Sequence, residues 1–183
     1  MDRYGFLKVA AAVPHVRVAD CAHNADRIVA LAQRAAQRGV EIAAFPELSL
    51  TGYTCGDLFL QPTLLEAAEE ALGRVLRETR KLPLALVVGM PVRHTNELYN
   101  CAVVMAQGRI MGVVPKCHIP NYNEFYEARW FSSGAEIASD TVVLAGREAD
   151  FGRDLTFAVN GAEFGVEICE DLWVAAPPSS QLA

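Results

Sequence analysis

A chain of 183 residues, 52% hydrophobic and 21% charged, has the profile of one soluble globular domain with a substantial core, which sets aside disordered and fibrous classes. A formal net charge of -6 with no basic run argues against a large nucleic-acid footprint, because phosphate binding draws on clustered Lys and Arg. The N-terminal MDRYGFLKVAAAVPHVRVAD carries charges on both sides of an apolar run far short of the ~20 residues that span a bilayer, so neither a signal peptide nor a membrane span is expected.

In chain order, residues Leu7 to Val18 contain a β-favouring apolar stretch. Ile28, Leu31, Ala32 and Ala35 then recur at helical spacing in a segment that ends at Gly39. EIAAFPEL reads as a short buried strand that delivers Glu47 where it opens into a loop. The loop TGYTCGDLF precedes a second amphipathic helix marked by Leu64, Ala68, Leu72, Val75 and Leu76, which Pro83 brings to a stop.

LALVVGMP is a fully buried strand, and NCAVVMAQGRIMGVVPK gives two strands joined by a turn at Gln107-Gly108, the second ending on Lys116. Residues from Cys117 to Gly134 are aromatic, polar and irregular, as suits a pocket-lining loop with a short helical turn. The last third predicts strands near Thr141 to Leu144, Leu155 to Val159 and Phe164 to Ile168, after which Cys169 begins a turn. The expected fold is an α/β layered domain with helices on the faces of a mixed sheet. WVAAPPSSQLA reads as the lead-in to another helix, so residues 1–183 are expected to be the N-terminal part of a longer chain.

Three strand ends thus deliver Glu47, Lys116 and Cys169. In an open sheet such ends converge, which would bring a carboxylate, an ammonium and a thiol into one cleft. Attack on an amide needs all three functions: a sulfur nucleophile, a base that passes the thiol proton to the departing amine, and positive charge where the oxyanion forms. A nearby carboxylate raises a thiol pKa, and a close lysine is expected to offset this. Each residue alone has a plainer reading: Cys169 as a small core residue, Glu47 as a loop carboxylate, Lys116 as a strand-end charge. Cys21, Cys55, Cys101 and Cys117 keep that plainer reading. With an odd count and no CxxC pair, the five thiols should be reduced and the protein cytoplasmic. His118, two residues past Lys116, invites a Cys-His protease reading, but that leaves Glu47 and Lys116 unused. No metal site is expected from the scattered histidines.

FPELSLTGY, VVPKCHIPNYNEFYE and GVEICEDLW together resemble the three blocks of the nitrilase, or carbon-nitrogen hydrolase, superfamily, in that family's chain order. The runs Cys169 to Trp173 and Asn121 to Glu127 are most similar to its glutaminase branch, found in glutamine-dependent NAD synthetases. The resemblance implies an αββα sandwich with mixed sheets, cut short here after the nucleophile strand. It also implies a Glu47-Lys116-Cys169 triad acting through a thioester, with the Glu170 backbone N–H as a second oxyanion donor. Tyr53, Tyr122 and Phe125 match pocket-wall positions, Glu124 matches the second glutamate that orients Lys116 or substrate, and Glu170 matches a substrate contact.

The same resemblance implies glutamine as substrate, a homo-oligomer, and ammonia passed to a C-terminal synthetase domain that amidates deamido-NAD. No cofactor is expected in the glutaminase domain, and ATP and magnesium only in the synthetase domain, since the sequence contains no phosphate-binding loop. A stand-alone amidase acting on another small amide and a catalytically idle assembly module remain the alternatives.

Overall fold

The computed structural model describes residues 5–183; positions 1–4 of the N-terminal stretch read above lie outside the described residues. Nine strands and three helices are described: β1 (Val9–Ala11), α1 (Cys21–Gln37), β2 (Ile42–Ala44), α2 (Pro62–Thr79), β3 (Ala85–His94), β4 (Glu97–Ala106), β5 (Arg109–Pro115), β6 (Asp140–Leu144), β7 (Arg147–Phe151), β8 (Phe157–Val159), β9 (Ala162–Phe164) and the short α3 (Ser179–Leu182). Seven strands form one mixed sheet in the order β1-β2-β3-β4-β5-β7-β6, and β8 pairs with β9 in a separate hairpin. β1, β2 and β3 run parallel, β3-β4-β5 is an antiparallel meander, and β7 joins β5 in parallel. The mixed α/β sheet expected from the sequence is therefore present, and the second sheet is represented among the described residues by the β8-β9 hairpin.

Alternation along the strands builds two cores. Leu86, Val88 and Met90 of β3, with Cys101, Val103 and Met105 of β4, turn toward α1 and α2. Ala85, Val87, Ala102 and Val104 turn to the opposite face, where Phe157, Phe164, Val166 and Ile168 cover them. Both helices present the faces that their spacing predicts: Ile28, Ala32 and Ala35 are buried in α1 with Leu31 half-buried against the same core, and Leu64, Ala68, Leu72, Val75 and Leu76 are buried in α2. Each Ile, Leu or Val side chain so buried contributes about 1.5–3 kcal/mol, and each Ala less. α1 opens on Asp20, whose carboxylate accepts from His23 N at 3.0 Å, and closes before Gly39 at φ 70°. α2 starts with Pro62 in its first turn, where a missing N–H costs nothing.

Three features differ from the sequence reading. β3 and β4 form a long hairpin closed at Thr95-Asn96, with Pro91 inside β3 and Gly89 opposite Ala102. β7 occupies READF, a stretch too short and too charged to stand out from its turn by periodicity. The strand expected over Phe164 to Ile168 is paired only as far as Phe164, and residues 165–168 continue as extended chain to Cys169.

Past β2 the chain does not leave the sheet at once. Phe45 N donates to Val87 O, Leu50 N to Gly89 O, and Gly89 N to Ser49 Oγ, so the turn carrying Glu47 lies flat on β3. Only glycine permits this approach: a Cβ at Gly89 would stand 2.7 Å from Pro46 O, 2.8 Å from Glu47 C and against Leu48 N. Buried Asn24 of α1 holds the other side of the turn, donating to Leu50 O at 3.0 Å and to Arg17 O at 2.8 Å. Gly89→Ala should therefore lower unfolding free energy by about 1–3 kcal/mol through overpacking, measured by urea denaturation. An unchanged midpoint would contradict the close approach.

Candidate active site

The ends of β2 and β5, and the extended segment after β9, meet over one region of the sheet. Lys116, immediately after β5, is fully buried, and its backbone N–H donates to Asn100 O of β4 at 2.8 Å. Its ammonium donates to Glu47 Oε1 at 2.7 Å and to both oxygens of Glu127 at 3.0 and 2.9 Å. Desolvation works against the Lys116 charge, but the two carboxylates outweigh it and raise its pKa above the ordinary value. The lysine is held as a cation.

Each carboxylate also receives one neutral donor. Asn100 Nδ2 donates to Glu47 Oε1 at 2.6 Å, and the Tyr53 hydroxyl donates to Glu127 Oε1 at 2.6 Å. Burial and the bond to Glu127 push the Tyr53 pKa well above its usual range, so Tyr53 stays a donor. Asn100 Oδ1 is buried and accepts no hydrogen bond among the described residues.

Cys169 heads a 3₁₀ turn, Cys169–Leu172, with φ 49°, a left-handed conformation uncommon for a residue with a side chain. It is exposed while Cys21, Cys55, Cys101 and Cys117 are all buried, so the plainer reading of those four stands. With Glu47, Gly89, Ala102 and Ile168 it lines a cleft of about 160 Å³ between the sheet and segment 166–168. Burial raises the Cys169 pKa, the Glu47 charge raises it further, and Lys116 pulls it only part of the way back. The expected offset by lysine is thus incomplete, and the resting group is a thiol beside a carboxylate able to take its proton. The Glu170 N–H donates to no backbone carbonyl among the described residues, as expected at the start of a helical turn.

The remaining residues singled out from the sequence separate into two groups. Tyr53 belongs to the buried network rather than only to a wall. Tyr122 and Phe125 stack edge to face at 5.9 Å on the rim, where the Tyr122 hydroxyl donates to both oxygens of Glu170 at 2.9 Å. Glu124 is exposed in the same loop, and the carboxylate that orients Lys116 is Glu127, three residues further on. That part of the Glu124 expectation is corrected. Glu127 lies 2% exposed in the 3₁₀ turn Glu127–Arg129, and Arg129 and Trp130 fasten this turn to Asp57 at 2.6 and 2.9 Å. Its neighbours hide it: EFYEARW looks equally like a solvated turn. His118 Nδ1 pairs with Asp171 at 3.0 Å, which removes the Cys-His reading. Among the described residues no group of His, Cys, Asp and Glu is arranged to hold a metal ion. No helix of the described residues is long and apolar enough to cross a membrane.

Known proteins resemble this chain in sequence and in fold. Residues 8–176 match the family model described as carbon-nitrogen hydrolase. The chain is 42% identical over 184 aligned residues to the glutamine-dependent NAD(+) synthetase of Mycobacterium tuberculosis, covering 99% of this chain and 27% of that protein. It is 32% identical to the protein of the same name from Aquifex aeolicus, covering 91% of this chain and 26% of the relative. It therefore spans about a quarter of the length of these relatives. Among solved structures, a glutamine-dependent NAD(+) synthetase from Cytophaga hutchinsonii superposes with a TM-score of 0.81 at 30% identity over 90% of this chain and 28% of that one. An amidase from Nesterenkonia sp. shares the fold, with a TM-score of 0.59 at 23% identity over 79% of this chain and 54% of that one.

The titration of Cys169 follows from its neighbours. Because the Glu47 charge raises its pKa, Glu47→Gln should lower the midpoint pH for alkylation of Cys169, and Lys116→Met should raise it. Rates of iodoacetamide labelling against pH, read at the Cys169 peptide, check both directions. A midpoint that Glu47→Gln leaves in place would mean that the carboxylate does not face the thiol.

Proposed function

The chain belongs to the carbon-nitrogen hydrolase family, and we propose that it hydrolyses the side-chain amide of glutamine to supply ammonia for the ATP-dependent amidation of deamido-NAD to NAD. The observation that carries this reading is an exposed, left-handed Cys169 set beside a Glu47 carboxylate whose partner is a buried, obligatorily charged Lys116. The names borne by similar relatives supply glutamine and NAD; the geometry supports the amide chemistry.

In the proposed course, Glu47 takes the Cys169 proton as the sulfur attacks the carboxamide carbon. The oxyanion forms against Lys116 Nζ and the Glu170 N–H, for which the ammonium turns one N–H away from the second Glu127 oxygen. Glu47 returns the proton to the amide nitrogen, the C–N bond breaks and ammonia leaves, giving a glutamyl thioester. Glu47 next deprotonates water, whose attack on the thioester releases glutamate and restores the thiol. Asn100 and Lys116 both bond Oε1 of Glu47, which leaves Oε2 free for these proton transfers. At the rim, the Glu170 carboxylate held by Tyr122 offers a negative charge to the α-ammonium of glutamine, and Phe125 a flat wall to its methylenes. Glu124, exposed in the same loop, is proposed as an additional carboxylate for the amino-acid end of the substrate. Delivery of ammonia to a synthetase domain, with its ATP and magnesium, a homo-oligomeric state and a cytoplasmic setting belong to the same proposal.

Glutamate release by the full-length gene product tests it. Cys169→Ala should reduce the rate to background, and Lys116→Met should cost about 10²–10³-fold in kcat, the scale of losing one oxyanion donor. Hydrolysis of other small amides without any of glutamine would replace the glutaminase reading by that of a general amidase.

A further inference from the structure

Asp171 has no part in the proton transfers above, yet it is 2% exposed and its carboxylate collects donors from both sides of the site. Oδ1 accepts from Cys117 N at 3.1 Å, His118 N at 2.7 Å and His118 Nδ1 at 3.0 Å. Oδ2 accepts from Ile168 N at 3.2 Å, with Cys117 N also 3.4 Å away. Cys117 is the residue after Lys116, and Ile168 is the residue before Cys169. One buried carboxylate therefore ties the peptide that follows the ammonium to the peptide that precedes the thiol.

From this geometry we infer that Asp171 is a positioning residue that sets the placement of Cys169 relative to Lys116 and Glu47. The need for such a tie is visible in the fold. Segment 165–168 has no strand partner among the described residues, so the nucleophile is not carried by a sheet ladder as Lys116 is. Cys169 also sits at φ 49°, a conformation that persists only where its surroundings fix it. No other carboxylate among the described residues bonds both segments. Removing it would leave buried N–H groups of Cys117 and Ile168 unpaired and free the turn to move.

The inference rests on the proposed amide chemistry for its kinetic readout, but not for its chemical one. In the full-length gene product, Asp171→Asn keeps the shape and turns an NH₂ group toward these N–H donors. The expected result is a loss of about 100-fold in kcat for glutamine with KM changed by less than about threefold, the scale of an ångström of misplacement. The alkylation midpoint of Cys169 should also relax downward toward that of an ordinary thiol, since the residue moves away from the Glu47 charge. A purely structural role would lower the melting temperature but leave kcat and the alkylation midpoint of the folded protein at wild-type values, which would overturn the inference. Should Asp171→Asn fail to fold, His118→Leu removes one donor to the carboxylate. It is expected to lower kcat about fivefold at unchanged KM and to shift alkylation in the same direction; wild-type values for both would overturn the inference equally. If the wild-type protein itself released no glutamate, the glutaminase reading would fall, while the alkylation shift would still decide the role of Asp171.

Discussion

The structure is organised around one buried cation. Lys116 is fully enclosed, and an ammonium taken from water into such a place costs several kcal/mol unless its donors are satisfied by well-placed opposite charge. Glu47 and Glu127 supply that charge at 2.7 Å and 2.9 Å. Two carboxylates against one ammonium leave an excess negative charge, and this is eased by neutral donors, Asn100 on Glu47 and Tyr53 on Glu127. Four elements distant in sequence must therefore arrive together before the group is stable. That requirement fixes the turn after β2, the end of β5, the middle of β4 and the loop around residue 127.

The fold meets it with one close backbone approach and with side-chain hydrogen bonds that hold the turns. Gly89 lets the Glu47 turn rest on β3, Asn24 pins that turn from α1, and Asp57 clips the Glu127 turn through Arg129 and Trp130. The thiol is treated differently. Cys169 stands at the end of an unpaired extended segment, exposed and in a left-handed conformation, with Asp171 joining it to the peptide after Lys116. A firmly held Glu47 carboxylate beside a more lightly supported Cys169 suits the proposed reaction, in which the sulfur would be acylated and then freed.

Much of this was legible in the sequence wherever local physics decides it. Helical spacing in α1 and α2, the apolar runs of β2 and β3, and the Gln107-Gly108 turn, where both residues adopt positive φ, need no tertiary information. The same holds for Glu47, Lys116 and Cys169, each a polar residue ending an apolar run. Glu127, Asn100 and Asp171 carry no local mark of their roles. Glu127 lies among polar and aromatic residues without a period, Asn100 is the only polar member of a buried strand stretch, and Asp171 reads as one of two acids in a turn. Their roles come from contacts 11, 53 and 54 residues away in sequence. Glu124 and Glu127 sit in one irregular segment, and burial, which a sequence does not display there, separates them.

The proposed reaction requires the Cys169 sulfur to carry the acyl group while the Lys116 charge set holds Glu47 in place to serve it. The most direct test is intact-protein and peptide mass spectrometry after rapid acid quench of the full-length gene product turning over glutamine. A glutamyl adduct confined to the Cys169 peptide, labile to hydroxylamine as a thioester is, is the predicted result. Sustained glutamate release with no adduct on Cys169, or with the adduct on another residue, would contradict it.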